Sequence, residues 1–83
     1  MPEVHRDNLL DSLRDEVARA GEEFESARAE LSAACKIVPD IGLATPDGTA
    51  LWERTSTRYK RAEQAYGVAL KRFARTLHDL RLL

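Results

Sequence analysis

The side chains best suited to metal binding or nucleophilic catalysis are few and far apart. His5 and His78 stand near opposite ends of the sequence, and Cys35 is its single cysteine. Transition metals need several His, Cys or carboxylate ligands at short spacings. Di-iron sites in helical bundles use Glu-x-x-His, whereas Glu63 is followed three residues later by Tyr66. We therefore expect no metal, no cofactor and no catalytic residue, and hence no enzyme.

Basic side chains in the second half of the sequence are the other candidate for chemistry. Four arginines lie within about 40° of one face of a helix, and such a ridge could contact phosphates: Arg54, Arg58, Arg61 and Arg72. The net charge of the chain is −1, so no long-range field attracts nucleic acid. We favour a solvated face neutralised by acidic neighbours and keep a small nucleic-acid-associated regulator as the alternative.

The prolines divide the sequence into two helical segments and a turn. Pro39 disfavours the helical conformation at Val38, so the first helix should end there. Thr45 is a suitable N-cap for the second helix, because Pro46 then occupies the first helical position and Asp47 faces the positive end of the helix dipole. We predict a single domain over residues 1–83, with helix 1 at about 3–38, a turn at about 39–45 and helix 2 at about 46–82.

Apolar and small residues recur in both segments at alternating steps of three and four, which is the heptad spacing of coiled coils. One row, labelled a, is mostly large: Leu10, Val17, Phe24, Leu31 and Val38, then Trp52, Tyr59, Tyr66, Phe73 and Leu80. The other row, d, is mostly small: Leu13, Ala20, Ala27 and Ala34, then Thr55, Ala62, Ala69, Thr76 and Leu83. This strict spacing favours core packing over ligand binding as the role of the aromatic residues.

An antiparallel hairpin would set the a row of one helix against the d row of the other. If the numbers of paired residues add up to 86, large side chains meet small ones at every level, as Ala27 meets Tyr59 and Phe24 meets Ala62. Such interdigitation fills space without strain. We therefore predict an all-α fold, a long antiparallel two-helix hairpin that resembles a coiled coil with an alanine-rich seam.

Charged residues beside the seam favour the same orientation. Glu16, Glu23 and Glu30 occupy the g positions of helix 1, and Arg58 and Arg72 occupy those of helix 2. Antiparallel pairing brings g against g, so we predict ion pairs between Glu30 and Arg58 and between Glu16 and Arg72. Nine acidic and five basic residues precede the turn, and four acidic and eight basic residues follow it, so the two helices have opposite net charges.

A two-helix hairpin of this length has one seam and buries little surface, so we predict a homodimer that forms a four-helix bundle. The g and c positions are too charged to be buried, which leaves the flank formed by the e and b positions. Gly21 and Gly67 lie on that flank at a cost of about 1 kcal/mol each, which suggests that another backbone approaches. The predicted interface consists of Ala18, Gly21, Gly67, Leu70, Ala74 and Leu77.

Two further groups of residues complete this prediction. The open end of the hairpin should be closed by leucines: Leu9, Leu10, Leu13, Leu80 and Leu83. Arg14 and Arg28 also lie on the e and b flank and should reach Glu63 or solvent at its rim.

Cys35 falls at an e position beside the core, so we expect a buried, unreactive thiol. With no apolar run at the N-terminus and no membrane span, we expect a cytoplasmic protein.

The sequence most favours a non-enzymatic protein–protein interaction or self-assembly module. Its expected partner is itself, or another helical protein, and neither nucleic acid nor a membrane is expected. A weaker alternative is a small all-helical enzyme with a site in the bundle core. Leu10 to Lys36 is similar to the first helix of small all-helical chorismate mutases, which implies Arg, Lys, Gln and Glu side chains in an internal pocket. Here the inward rows are Leu, Ala and aromatic residues, and no third helix follows.

Overall fold

The fold is a pair of long helices packed against each other. The computed structural model describes residues 3–41 and 45–81, and these residues contain no strand. Helix α1 spans Glu3–Ile41 and helix α2 spans Pro46–Asp79. The molecule measures 58 × 16 × 15 Å, and a 39-residue helix at 1.5 Å per residue accounts for its length. The predicted all-α class and the two-helix hairpin are therefore confirmed.

Helix α1 ends later than the sequence predicts. The expected end at about residue 38 is wrong, because the helix continues through Pro39 to Ile41. A proline is most costly in a helix interior, where it removes a hydrogen bond to the carbonyl four residues earlier. Here that carbonyl belongs to Cys35, which is exposed, so water can replace the missing bond. The predicted turn is correspondingly shorter, and its residues 42–44 lie outside the described part of the chain.

Helix α2 begins as its sequence predicts. The side-chain oxygen of Thr45 accepts a hydrogen bond from the backbone N–H of Gly48 at 3.1 Å, and the backbone of Thr45 is extended. Pro46 follows in the first turn, where its missing N–H costs nothing, and Asp47 adds a negative charge there. The cap explains why the chain can leave the turn directly into a long helix.

The other end of α2 lies three residues before the predicted end at about 82. Leu80 is the C-cap, and its N–H donates to the carbonyl of Thr76 at 2.9 Å. Arg81 has a φ of 59°, in the left-handed region that commonly follows the last turn of a helix. Its N–H donates to the carbonyl of His78 at 2.9 Å. This left-handed residue ends the helix before residue 82.

The small residues of the d row form the centre of the contact between the helices. The buried apolar residues are Leu10, Leu13, Ala27, Ala34, Ala62 and Ala69. Thr55 is fully buried, and its hydroxyl donates to the carbonyl of Leu51 at 2.8 Å, so no buried polar atom is left without a partner there. An alanine-rich contact lets two helix axes approach closely.

The larger residues of the a row cover the sides of this contact. The ring of Phe24 lies between those of Tyr59 and Tyr66, with centroid distances of 5.4 and 5.6 Å. Ala62 falls midway between the two tyrosines in sequence, so the rings place Phe24 at the level that the predicted register assigns to it. Trp52 departs from its expected core role, because it is 40% exposed. Two helices offer no third layer to cover so large a side chain.

Candidate interaction surface

One flank of the hairpin is a row of ion pairs between the helices. The guanidinium of Arg58 donates to Glu23 from Nε at 3.0 Å and from Nη2 at 2.9 Å, and to Ser26 from Nη2 at 3.2 Å. Its Nη1 donates to Glu30. The hydrogen bonds with Glu23 and then with Glu30 raise the pKa of Arg58. The predicted pair between Glu30 and Arg58 is confirmed, and Glu23 joins it.

A second ion pair lies about four turns along the same flank. Nη1 of Arg72 donates to Oε1 of Glu16 at 2.9 Å, which confirms the other predicted pair. Glu16 precedes Glu30 in α1, whereas its partner Arg72 follows Arg58 in α2. The two helices are therefore antiparallel. The pairs also fix the orientation of each helix, because the g positions face each other here. The e and b positions of both helices therefore lie on the opposite flank.

We expect the Glu16–Arg72 pair to contribute a small, salt-dependent coupling. Both side chains are substantially exposed, and exposed ion pairs contribute about 0.2–1 kcal/mol. A double-mutant cycle with Glu16→Gln and Arg72→Gln, measured by urea unfolding, should give a coupling energy in that range. The coupling should shrink in about 1 M salt, where the Debye length is roughly 3 Å. A coupling that does not change with salt would contradict this assignment.

The flank formed by the e and b positions carries a patch of small and apolar residues that is open to solvent. Leu70 is 42% exposed, and Ala18 of α1 and Ala74 of α2 are also exposed. Gly67 and Leu77 are half-buried. All of these residues belong to the predicted interface, and the ion pairs on the other flank place them on one side of the molecule. The hairpin thus carries a surface of small residues with two leucines.

The two glycines of this flank have different surroundings. A Cβ at Gly21 would lie 3.4 Å from the ring of Tyr66, so a side chain of the same chain packs over this glycine. The close approach at Gly21 is accounted for within the hairpin, without the second backbone that the sequence suggested. A Cβ at Gly67 would meet no atom within 4 Å, and nothing in the hairpin requires a glycine there.

Alanine substitutions should separate the roles of the two glycines. Gly21→Ala should raise the free energy of unfolding by about 0.5–1 kcal/mol, because alanine is the better helix former and its methyl group meets Tyr66 at an ordinary contact distance. Chemical unfolding followed by circular dichroism measures the change. A loss of stability would contradict this expectation and mean that the added methyl group does not fit beneath the ring of Tyr66.

The arginines of this flank are held at its outer edge. Nη1 of Arg14 lies 3.7 Å from Oδ1 of Asp11, and Nε of Arg28 lies 3.6 Å from Oε2 of Glu25. Each pair lies within one turn of α1. Both arginine side chains are about two-thirds exposed, at 64% and 66%. They reach these neighbours of their own helix and solvent, rather than Glu63. The flank can therefore be covered while both charges stay in water.

The antiparallel helices bring His5 and His78 to the same end of the hairpin, whereas Cys35 lies toward the turn. Cys35 is exposed, so the expectation of a buried thiol is wrong: an e position beside a two-helix seam stays in contact with water. His78 is exposed, and its Nδ1 lies 3.9 Å from Oδ1 of the neighbouring Asp79. The described residues contain no group of three His, Cys, Asp or Glu side chains that could hold a metal ion.

The predicted leucine cluster at the open end forms only in part. Leu10 and Leu13 are buried, Leu80 is half-buried and Leu9 is exposed. Leu83 lies outside the described residues. A pair of helices can cover the leucines that face the seam, but Leu9 sits at a g position beside it. Leu9 is therefore an exposed apolar residue on the flank of the ion pairs, apart from the Leu70 surface.

The arginine ridge of α2 is divided between two roles. Arg58 and Arg72 are occupied by glutamates of α1, whereas Arg54 and Arg61 are exposed and form no ion pair with the described residues. A surface groove of about 740 Å³ lies beside Arg54, Arg58 and Arg61. Its lining is Glu23, Ala50, Glu53, Arg54, Thr57, Arg58, Arg61, Ala62 and Ala65. The charge pattern of the sequence indicated the arginines but not the small residues between them.

Comparison with known proteins leaves the site to be judged on its own geometry. No protein-family model, curated protein or solved structure matches the chain. Neither helix, over the described residues, contains a stretch long and apolar enough to cross a membrane.

Proposed function

We propose that this chain is a non-enzymatic self-assembly module whose two-helix hairpins pair into a coiled-coil-like four-helix bundle. The observation that carries the proposal is the surface area of the single chain. The hairpin exposes 6261 Å², whereas a compact protein of 9.3 kDa exposes roughly 5,000 Å². The excess of roughly 1,300 Å² exceeds the roughly 800 Å² that each partner buries in a standard protein interface.

The flank of Leu70 is the surface that best fits a second copy. The opposite flank carries the ion pairs of Arg58 and Arg72, so pairing through the Leu70 flank leaves those charges in water. A two-fold dimer uses the same patch on both chains, which places Leu70 and Leu77 of one copy near those of the other. Gly67, with open space around it, allows a partner backbone to approach closely.

Placing charges on this flank should prevent the pairing. We expect Leu70→Glu combined with Leu77→Glu to yield a helical monomer, because each dimer would bury four carboxylates without partners. Light scattering coupled to size-exclusion chromatography gives the mass, and circular dichroism reports whether the helices remain. Val68→Glu is the matched control, since Val68 is 56% exposed on the other flank of the same helix. The control should dimerise like the wild type.

Two outcomes would count against this proposal. A double variant that dimerises as well as the wild type would exclude the Leu70 flank as the interface. A control that becomes monomeric as readily would show that association depends on overall charge. Gly67→Ala adds an independent measure: it should weaken dimerisation even though its methyl group meets nothing within the hairpin.

A further inference from the structure

We propose that the groove on the g and c side of α2 binds an acidic amphipathic α-helix from another protein. The groove lies on the flank opposite the Leu70 surface, so this proposal does not depend on dimerisation. The exposed arginines of this flank would repel each other if two copies paired through it. The same charge favours a partner whose acidic side chains meet the arginines.

The spacing of the groove residues matches the docking stripe of a helix. Along α2 the lining includes residues four, three, four and four positions apart: Ala50, Arg54, Thr57, Arg61 and Ala65. Residues at such spacings share one face of a helix. The stripe spans 16 residues, so its ends are about 22 Å apart at a rise of 1.5 Å per residue. A partner helix of about four turns would therefore lie along it, in a helix-in-groove mode.

The floor and the rim of the groove have different chemistry. Ala50, Thr57 and Ala65 provide a floor of small side chains on which larger apolar side chains of a partner can rest. Arg54 and Arg61 rise from the rim, where their aliphatic stems extend the apolar surface and their charges remain in water. The arrangement fits a partner with apolar residues along one stripe and carboxylates beside it.

The charges indicate where the partner's carboxylates should lie. Arg58 is held by Glu23 and Glu30, whereas Arg54 and Arg61 are available. These two arginines are seven residues apart, or about 10.5 Å along the axis, so they match two acidic residues one heptad apart on a partner. Farther along α2 a second, smaller hollow continues the positive charge: Val68, Lys71, Arg72 and Arg75.

Helix α1 of a second copy is a poor occupant of this groove. Its exposed carboxylates at Asp15 and Glu22 have the same spacing as the two arginines, one heptad. The outward residues beside them, Ala18 and Ala29, are however too small to fill the groove. Nucleic acid fits less well than a protein helix, because the residues that line the groove include no aromatic side chain on which a base could stack.

A designed peptide tests this proposal directly. The probe is a fluorescein-labelled 18-residue peptide with leucine at alternating steps of three and four and glutamate on both sides of that stripe. Two controls accompany it, a peptide of identical composition in scrambled order and a single-stranded 18-nucleotide DNA. Fluorescence anisotropy with the full chain should show saturable, micromolar binding of the amphipathic peptide alone.

Variants of the rim should then locate the binding site. Arg54→Glu combined with Arg61→Glu should weaken peptide binding about tenfold or more, because both charge contacts become repulsive. Lys36→Glu combined with Lys60→Glu makes the same change in net charge at exposed residues outside the groove lining and should change binding far less. Leu70→Glu with Leu77→Glu should still bind the peptide, which separates this site from the dimer surface.

Three results would overturn the proposal. The first is no saturable binding of the amphipathic peptide. The second is equal binding of the scrambled peptide, which would reduce the effect to charge alone. The third is tighter binding of the DNA that is lost in the Arg54 and Arg61 variant, which would assign the surface to nucleic acid.

Discussion

Replacing Ala27 by leucine should lower the free energy of unfolding by about 1–3 kcal/mol, the usual cost of inserting a larger side chain into a well-packed contact. Ala27 has no exposed surface, because it lies in the d row where the two helices are closest. Three additional carbons have no free space there, so the axes must separate or neighbouring side chains must leave their preferred rotamers. Urea unfolding followed by circular dichroism at 222 nm would give the change.

Ala29 provides the matched control, because it is exposed two residues farther along α1. Ala29→Leu adds the same three carbons, and alanine and leucine differ little in helix propensity. Its free energy of unfolding should stay within about 0.5 kcal/mol of the wild type. If both substitutions had the same effect, the helices would not be packed through the alanine row.

Phe24→Ala should have the second large effect and lower the free energy of unfolding by about 2–3 kcal/mol. Replacing a fully buried phenylalanine by alanine lowers the free energy of unfolding by about 3–5 kcal/mol. Phe24 is only half-buried, so a smaller loss is expected. Its ring also contacts the rings of Tyr59 and Tyr66, and each aromatic pair adds about 0.5–1.5 kcal/mol beyond buried area. Phe24→Ala therefore removes the contact that joins the middle of both helices.

The comparison with Trp52→Ala tests this explanation. Tryptophan is the larger side chain, but Trp52 is exposed near the turn, so its removal should cost less than that of Phe24. Thermal unfolding of both variants under the same conditions gives the order. If Trp52→Ala were the more destabilising change, the stabilising centre of the hairpin would lie near the turn rather than at Phe24.

The parts of the fold that were predictable follow from strong local signals. Thr45, Pro46 and Asp47 define the start of α2, because each satisfies a requirement of a helix N-terminus. The pairing of Glu16 with Arg72 and of Glu30 with Arg58 followed from the heptad positions, because only an antiparallel arrangement brings opposite charges together at g. Period and charge together therefore predicted both the elements and their relative orientation.

The features that were not predictable depend on context that a periodic pattern does not contain. Pro39 is compatible with a last helical turn, which its local preference alone does not reveal. The exposure of Cys35 depends on how far the seam shields its edges. Gly21 could be interpreted only when the ring of Tyr66 was seen to cover it. The groove between Arg54 and Arg61 depends on small residues that the charge pattern does not emphasise.

The central proposal is that the hairpin completes its fold by pairing with a second copy. Sedimentation equilibrium of the wild-type chain, at about 5–100 µM and roughly 0.15 M salt, tests this most directly, because mass action makes the dimer dominant above its dissociation constant. The proposal predicts a species with twice the mass of the 9.3 kDa chain and the circular dichroism spectrum of a helical protein. A folded, helical species of 9.3 kDa throughout that range would contradict it.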